Sequence, residues 1–188
     1  MGVAPKTRYD GVAMIIHWLT AVMMIYMVFF GEDLMKSGEK LAKAGDTASA
    51  TFEPSIHVTL GVSIFLLTIL RIIWRLTHTA PAYPASMKRY EVVGSKSLHG
   101  LFYLLLIAIP LTGWITFGGF SEEVPVMAQA QVFGLFAMPQ PPFTSHLFKE
   151  LHELGSNAAM VLIILHVLAA LKHQFIDKDS ILGRMLPW

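Results

Sequence analysis

Three histidines, His152, His166 and His173, recur within one strongly apolar stretch, LHELGSNAAMVLIILHVLAALKHQF, at residues 151–175. At about 100° per residue, the steps from the first to the second return to within about 40° of the starting direction, and those to the third leave about 20°. A helix here presents all three on one stripe. Two more histidines, His17 and His57, stand inside other apolar runs. Imidazole can ligate a metal, relay a proton or bond a carbonyl. In lipid an ionisable side chain is costly and normally faces a bundle interior or a functional path. Cysteine is absent. That excludes disulfides, thiolate-held iron–sulfur clusters and haem attached through C-x-x-C-H.

Positioning these side chains requires elements that cross a bilayer. The chain has 188 residues, 54% of them hydrophobic and 14% charged, and a mean hydropathy of +0.56. Such a composition is foreign to a soluble domain of this size. Four apolar runs, at about residues 12–31, 56–75, 98–117 and 151–173, each approach the ~20 residues that cross ~30 Å of hydrocarbon. The sequence thus predicts an all-α membrane protein, a four-transmembrane-helix bundle forming a single domain over 1–188. Pro110 falls mid-run in the third helix, where a kink is expected. The first run is too long for the apolar core of a signal peptide, and the small-residue site at 48–50 lies too far downstream, so cleavage is not expected.

Basic residues set the expected orientation. Lys6, Arg8, Arg71, Arg75, Lys88, Arg89, Lys96, Lys172, Lys178 and Arg184 border the termini and the 76–97 connection, whereas the other two loops hold Lys36, Lys40, Lys43 and Lys149. Ten against four places both termini in the cytoplasm. The outer loops carry nine acids, Glu32, Asp33, Glu39, Asp46, Glu53, Glu122, Glu123, Glu150 and Glu153, so that face is net negative. Residues 32–54 contain an amphipathic patch, LMKSGEKLAKAGD, that fits either a surface-lying segment or a solvated linker. The long stretch 118–148 has the length of a loop that covers or binds something. Nothing in a net charge of +1 indicates a nucleic-acid partner.

On this topology the histidines pair by depth. His17 and His166 each lie about 8 Å from the inner surface, and His57 and His152 lie near the outer ends of their helices. Opposed imidazoles from facing helices of a bundle are the arrangement that holds six-coordinate haem iron. Small residues beside them, Ala21, Gly61, Gly155, Ala169 and Ala170, leave room for a flat macrocycle. A lone buried histidine is more often a packing residue, but two depth-matched pairs are hard to produce by packing. A zinc or copper site wants three or four ligands at one depth, and a membrane proton relay normally brings in Asp or Glu. Two haems b are therefore expected, with His17, His57, His152 and His166 on the irons.

His99 and His173 fall together at the cytoplasmic boundary, with Tyr103 one turn after His99. Two imidazoles there suit a quinone headgroup, bonding its carbonyls and passing protons; the other reading is that they anchor helices at the interface. Arg71 and Arg75 are placed to snorkel or to pair with haem propionates. Lys149, three residues before His152 on the same helix face, is the basic side chain that could guide an anion to the outer pair. His78 and His146 read as loop residues.

The sequence resembles the prokaryotic cytochrome b561 family, small four-helix, two-haem membrane proteins, and is most similar to its superoxide-oxidising (superoxide:ubiquinone oxidoreductase) members. The resemblance rests on I-x-H-W at 15–18, I-H-V-x-x-G-x-S-I at 56–64, I-L-R-I-I-W-R-L at 69–76 and H-x-x-x-Y-L-L-x-I-A-x-P at 99–110. F-G-L at 133–135, H-E-x-x-x-N at 152–157, L-H at 165–166 and L-x-R-M-x-P at 182–187 complete it. By position it implies haem ligands at His17 with His166 and at His57 with His152, and quinone contacts at His99 and His173. It implies a place in the bacterial inner membrane and electron transfer from superoxide at the periplasmic face to ubiquinone at the cytoplasmic side. The alternative is a haem b subunit that docks a periplasmic dehydrogenase, hydrogenase or cytochrome. The loop between the first two helices is longer than is usual for the family.

Overall fold

A computed structural model describes residues 7–186; Lys6 and Pro187 lie outside them. Four long helices, α1 (Gly11–Lys43), α2 (Phe52–Thr77), α3 (Arg89–Glu123) and α4 (His146–Lys172), make up most of the chain. Each is long and apolar enough to cross a bilayer. α1 packs on α2, α2 on α3, α3 on α4 and α4 back on α1, closing a four-helix bundle. The start of α1 and the last described residues lie at one end, called here the terminal end, and the segment between α3 and α4 lies at the other, called here the hairpin end.

The core is a narrow seam, in which Met24, Ile64, Leu106, Ile109 and Ala159 are buried together. Large apolar side chains such as Leu66, Ile73, Val161 and Leu168 remain outward on the helices, as expected where the surroundings are lipid. The buried hydroxyls Thr20, Thr68 and Ser121 each donate to the carbonyl one turn back in the same helix, which satisfies a polar group that finds no water there. α3 runs through Pro110 as one helix.

The helices exceed the expected apolar runs, most of all in α1. The patch at 34–46 is neither surface-lying nor a linker over most of its length: residues 34–43 are nearly three further turns of α1. Its inner side buries Leu34 and Gly38. A Cβ on Gly38 would stand 2.4 Å from Pro54 and 2.5 Å from the Ala50 carbonyl, so only glycine admits this approach. Its outer side carries the i,i+4 ion pairs Glu32–Lys36 and Glu39–Lys43. The stretch 118–148 shortens correspondingly, because α3 continues to Glu123 and α4 begins at His146. What remains is a 3₁₀ turn (Pro125–Gln129) and a small hairpin of β1 (Gln131–Val132) and β2 (Phe136–Ala137), paired Val132 to Phe136. Met127, Ala130 and Val132 are fully buried beneath it.

At the terminal end, Asp10 caps α1 through the Ala13 N–H (3.0 Å) and accepts the Trp74 indole N–H (3.0 Å), joining the start of α1 to the end of α2. His78 is no free loop residue: it stacks on Trp74 with ring centroids 3.8 Å apart. The C-terminal 3₁₀ turn (Leu182–Met185) crosses the same end. Trp18 donates to the Met185 carbonyl, Arg184 to that of Ala82 and Arg8 to that of Leu186.

Candidate haem sites

At the hairpin end, the ring centroids of His57 on α2 and His152 on α4 lie 6.3 Å apart. The two rings are held in the same way. His57 Nδ1 is 2.8 Å from the Gly31 carbonyl of α1, and His152 Nδ1 is 2.8 Å from the Ile109 carbonyl of α3. A carbonyl only accepts, so each Nδ1 carries the proton and each Nε2 keeps its lone pair. All four helices thus contribute to one site. Glycines make the approach possible: a Cβ on Gly113 would fall 2.7 Å from His152 Cε1, and one on Gly31 would fall 3.4 Å from the His57 ring. Sequence reasoning missed both, because they stand on the helices opposite the histidines rather than beside them.

At the terminal end, His17 of α1 and His166 of α4 have ring centroids 6.4 Å apart. Buried Nδ1 of His17 has no hydrogen-bond partner among the described residues. Both pairs fit an iron between two imidazoles. With nitrogens about 2.0 Å from the metal and ring centres a further ~1.1 Å behind them, the centroids of such a pair stand about 6.2 Å apart. A direct imidazole–imidazole hydrogen bond would bring the nitrogens to about 2.9 Å and the centroids correspondingly closer. The room beside the pairs is mixed. Gly61 faces open space, whereas a Cβ on Gly155 would meet Ile109 at 3.1 Å, so Gly155 serves α3–α4 packing. Ala21 and Ala170 are half-buried and Ala169 is exposed.

His99 and His173 each have their own partners. His99 stands edge-on to His166, centroids 5.5 Å apart, and its Nδ1 is 2.6 Å from the Ser95 carbonyl, which leaves the lone pair on Nε2. Phe102 flanks the same His166 ring at 5.6 Å. Arg71 lies over the Tyr103 ring at 5.7 Å and within electrostatic reach of His17, His99 and His166. Arg75 reaches His99. His173 opens a π-helical turn (His173–Asp177), and its Nδ1 meets Asp179 at 2.8 Å and Asp177 at 3.1 Å. The i+4 and i+6 spacing of those carboxylates was the available signal. Glu91, His173 and Asp177 converge closely enough for a cation, but Lys172 already bridges Glu91 and Asp177. The cluster ties the start of α3 to the end of α4. At the other end, Lys149 is exposed on the first turn of α4, and Lys36 on the extension of α1 comes within electrostatic reach of Glu153, next to His152.

The whole described chain matches a known family. A model of the family described as prokaryotic cytochrome b561 covers residues 8–188. The chain is 28% identical to cytochrome b561 homolog 2 of Escherichia coli (strain K12), over 95% of its own length and 91% of that protein's. It is 27% identical to cytochrome b562 of Cereibacter sphaeroides, over 95% and 94%. It is 29% identical to a probable superoxide oxidase CybB of Yersinia pestis, over 96% of each. Four apolar helices in a bundle and a match from end to end agree: the chain belongs to the prokaryotic cytochrome b561 family, multi-pass bacterial membrane proteins that transfer electrons on haem b.

Proposed function

We propose that the protein binds two haems b, one held by His17 and His166 and the other by His57 and His152, and links superoxide at the periplasmic hairpin end to ubiquinone at the cytoplasmic terminal end of an inner-membrane bundle. The observation that carries this reading is the repeated spacing of 6.3–6.4 Å between paired imidazoles at opposite ends of the bundle. Bound haem supplies reversible one-electron chemistry. Two superoxide anions each give up one electron and leave as O₂; those two electrons and two protons convert one quinone to its quinol.

The chain's own groups hold and orient. The Gly31 and Ile109 carbonyls fix the tautomer and angle of His57 and His152, which raises their basicity as ligands. Arg71 puts a fixed positive charge beside His17, His166 and His99, suited to a propionate or to the developing charge on a quinone oxygen. His99, its Nδ1–H held by the Ser95 carbonyl, keeps a lone pair on Nε2; protonated there it can donate to a quinone carbonyl, and unprotonated it can accept the O–H of the quinol. Tyr103 lies one turn further along α3. His173, between Asp177 and Asp179, is positioned to take protons from the cytoplasm. Lys149 provides local attraction for an anion near His152.

A second reading, a haem b subunit that accepts electrons from a docked periplasmic protein, is favoured by the net negative hairpin-end surface, which attracts a basic partner. Absorbance spectra test the common core. Purified protein should show two low-spin haems per chain; His17→Ala and His166→Ala should deplete one of them, and His57→Ala and His152→Ala the other. A stoichiometry near one, or matching spectra for His17→Ala and His152→Ala, removes the proposal.

A further inference from the structure

Residues 124–143 contain no Asp, Glu, Lys, Arg or His, although they lie between two charged helix ends. Part of this segment is core, with Met127, Ala130 and Val132 buried. The rest faces outward: Phe133 is 48% exposed, Leu135 78% and Phe136 52%, all at the turn of the hairpin. A contiguous apolar patch of this kind marks a surface with an occupant.

Hydrogen bonds to α2 set the depth of that turn. The Gln131 N–H donates to Ser55 Oγ at 2.8 Å, Thr59 Oγ1 donates to the Gln131 carbonyl at 3.3 Å, and the Phe133 N–H donates to Thr59 Oγ1 at 3.0 Å. Ser55 and Thr59 are one turn apart, so β1 descends along α2 from its outer end and the turn is its deepest point. The apolar run of α2 starts at Ile56, which places Thr59 about 4–5 Å inside it. The turn therefore stands at the boundary between headgroups and hydrocarbon. Its backbone supports the same reading. Phe133 has φ +55° beside Gly134 at +66°, a left-handed conformation that Asn or Gly adopts with less strain than a bulky side chain. A phenyl ring at this position needs a compensating environment, and lipid supplies one.

We infer that the Phe133–Leu135 turn is a lipid anchor: it inserts into the leaflet at the hairpin end, beside α2 and within one turn of His57, and its occupant is the bilayer's headgroup–acyl boundary. A basic protein partner would instead be drawn to the acids, and none of these lies in the hairpin. The anchor holds the outer end of α2, and with it His57, at a fixed depth.

The absence of cysteine makes the test clean. A nitroxide is attached to Leu135→Cys in the haem-loaded protein, reconstituted in nanodiscs of phosphatidylcholine and phosphatidylglycerol. Collision with oxygen, which concentrates in hydrocarbon, is compared with collision with a water-soluble nickel chelate. Ala48→Cys, exposed between α1 and α2, is the aqueous reference, and Leu66→Cys, outward in mid-α2, is the bilayer reference. The label at 135 should favour oxygen several-fold more than the label at 48 and approach the behaviour of that at 66. Phe136→Cys, labelled in the same way, gives an independent second reading. If the chelate reaches both positions as freely as position 48, the turn faces water and the lipid assignment is wrong.

Discussion

The Ile109 carbonyl accepts the Nδ1–H of His152 at 2.8 Å, one turn before Gly113, where a Cβ would stand 2.7 Å from the same ring. α3 thus aims His152 with a backbone acceptor and leaves space for it with a glycine. Gly113→Ala should push the ring off its carbonyl and lower occupancy of the hairpin-end haem towards half-loading of the protein overall, with the His17/His166 spectrum intact. Gly31→Ala, where the Cβ would meet His57 at an ordinary 3.4 Å, should cost much less. Haem-to-protein ratios for the two variants check this contrast, and equal losses would show that the glycines are not selective supports.

Asp10 gives a stability prediction at the other end. Burial pushes its carboxyl up, but the Ala13 N–H and the Trp74 indole N–H outweigh this and hold it below its ordinary value. A depressed carboxyl contributes stability that is complete above its unfolded value, about 3.9, and lost as pH falls through the lower folded one. Asp10→Ala should cost about 1 kcal/mol, as for other lost N-caps, and Asp10→Asn less. Unfolding in detergent at neutral pH and in acid measures both. The difference between wild type and Asp10→Ala should shrink in acid; a constant difference would mean that the carboxylate charge is not what joins α1 to α2.

Much of this arrangement was legible in the sequence, and the rest was hidden for identifiable reasons. Apolar run length locates four helices, and a rise of ~1.5 Å per residue is enough to match His17 with His166 and His57 with His152 by depth. The extension of α1 was not legible, because alternating charges at 32–43 look the same on a surface patch and on a helix. What decides it is Gly38 packed on Pro54 and Ala50, a contact between segments that no periodicity encodes. The hairpin was hidden because each strand has two residues and its turn uses Phe133-Gly134 instead of the usual Asn-Gly. His99 and His173 share a depth, but depth does not give azimuth, and α3 turns His99 towards His166 while the π-helical turn delivers His173 to Asp179.

Their different partners give the two histidines different expected phenotypes. His99→Ala should retain both haems and slow reoxidation of the reduced protein by a short-chain ubiquinone about a hundredfold or more, the loss typical of a missing general acid–base group. His173→Ala should slow the same step less, by removing a proton carrier rather than a quinone contact, and Asp179→Asn should reproduce it in milder form. Stopped-flow reoxidation at increasing quinone concentration distinguishes the two, because only His99→Ala should also weaken quinone binding. Parental rates in both variants would leave these residues as helix anchors.

The electron donor is the most exposed part of the proposal, because the hairpin-end surface repels anions overall. Its acids exceed its lysines by five, and the lysines of the α1 extension are largely neutralised, Lys36 by Glu32 and Lys43 by Glu39. Lys149 has no such carboxylate pairing among the described residues and stands one turn before His152. Any path for superoxide is therefore local, with Lys149 working against the general field. Lys149→Glu should slow haem reduction by superoxide several-fold, and salt should narrow the difference between variant and wild type as it screens the exposed charge. A basic donor protein would behave in the opposite way, since the added acid should strengthen its attraction and rising salt should weaken its binding. Pulse-generated superoxide and a basic periplasmic cytochrome, tried in turn on wild type and Lys149→Glu at two ionic strengths, separate the cases. If superoxide fails to reduce the wild-type haems while the basic protein succeeds, the oxidase reading falls and the docked-subunit reading takes its place.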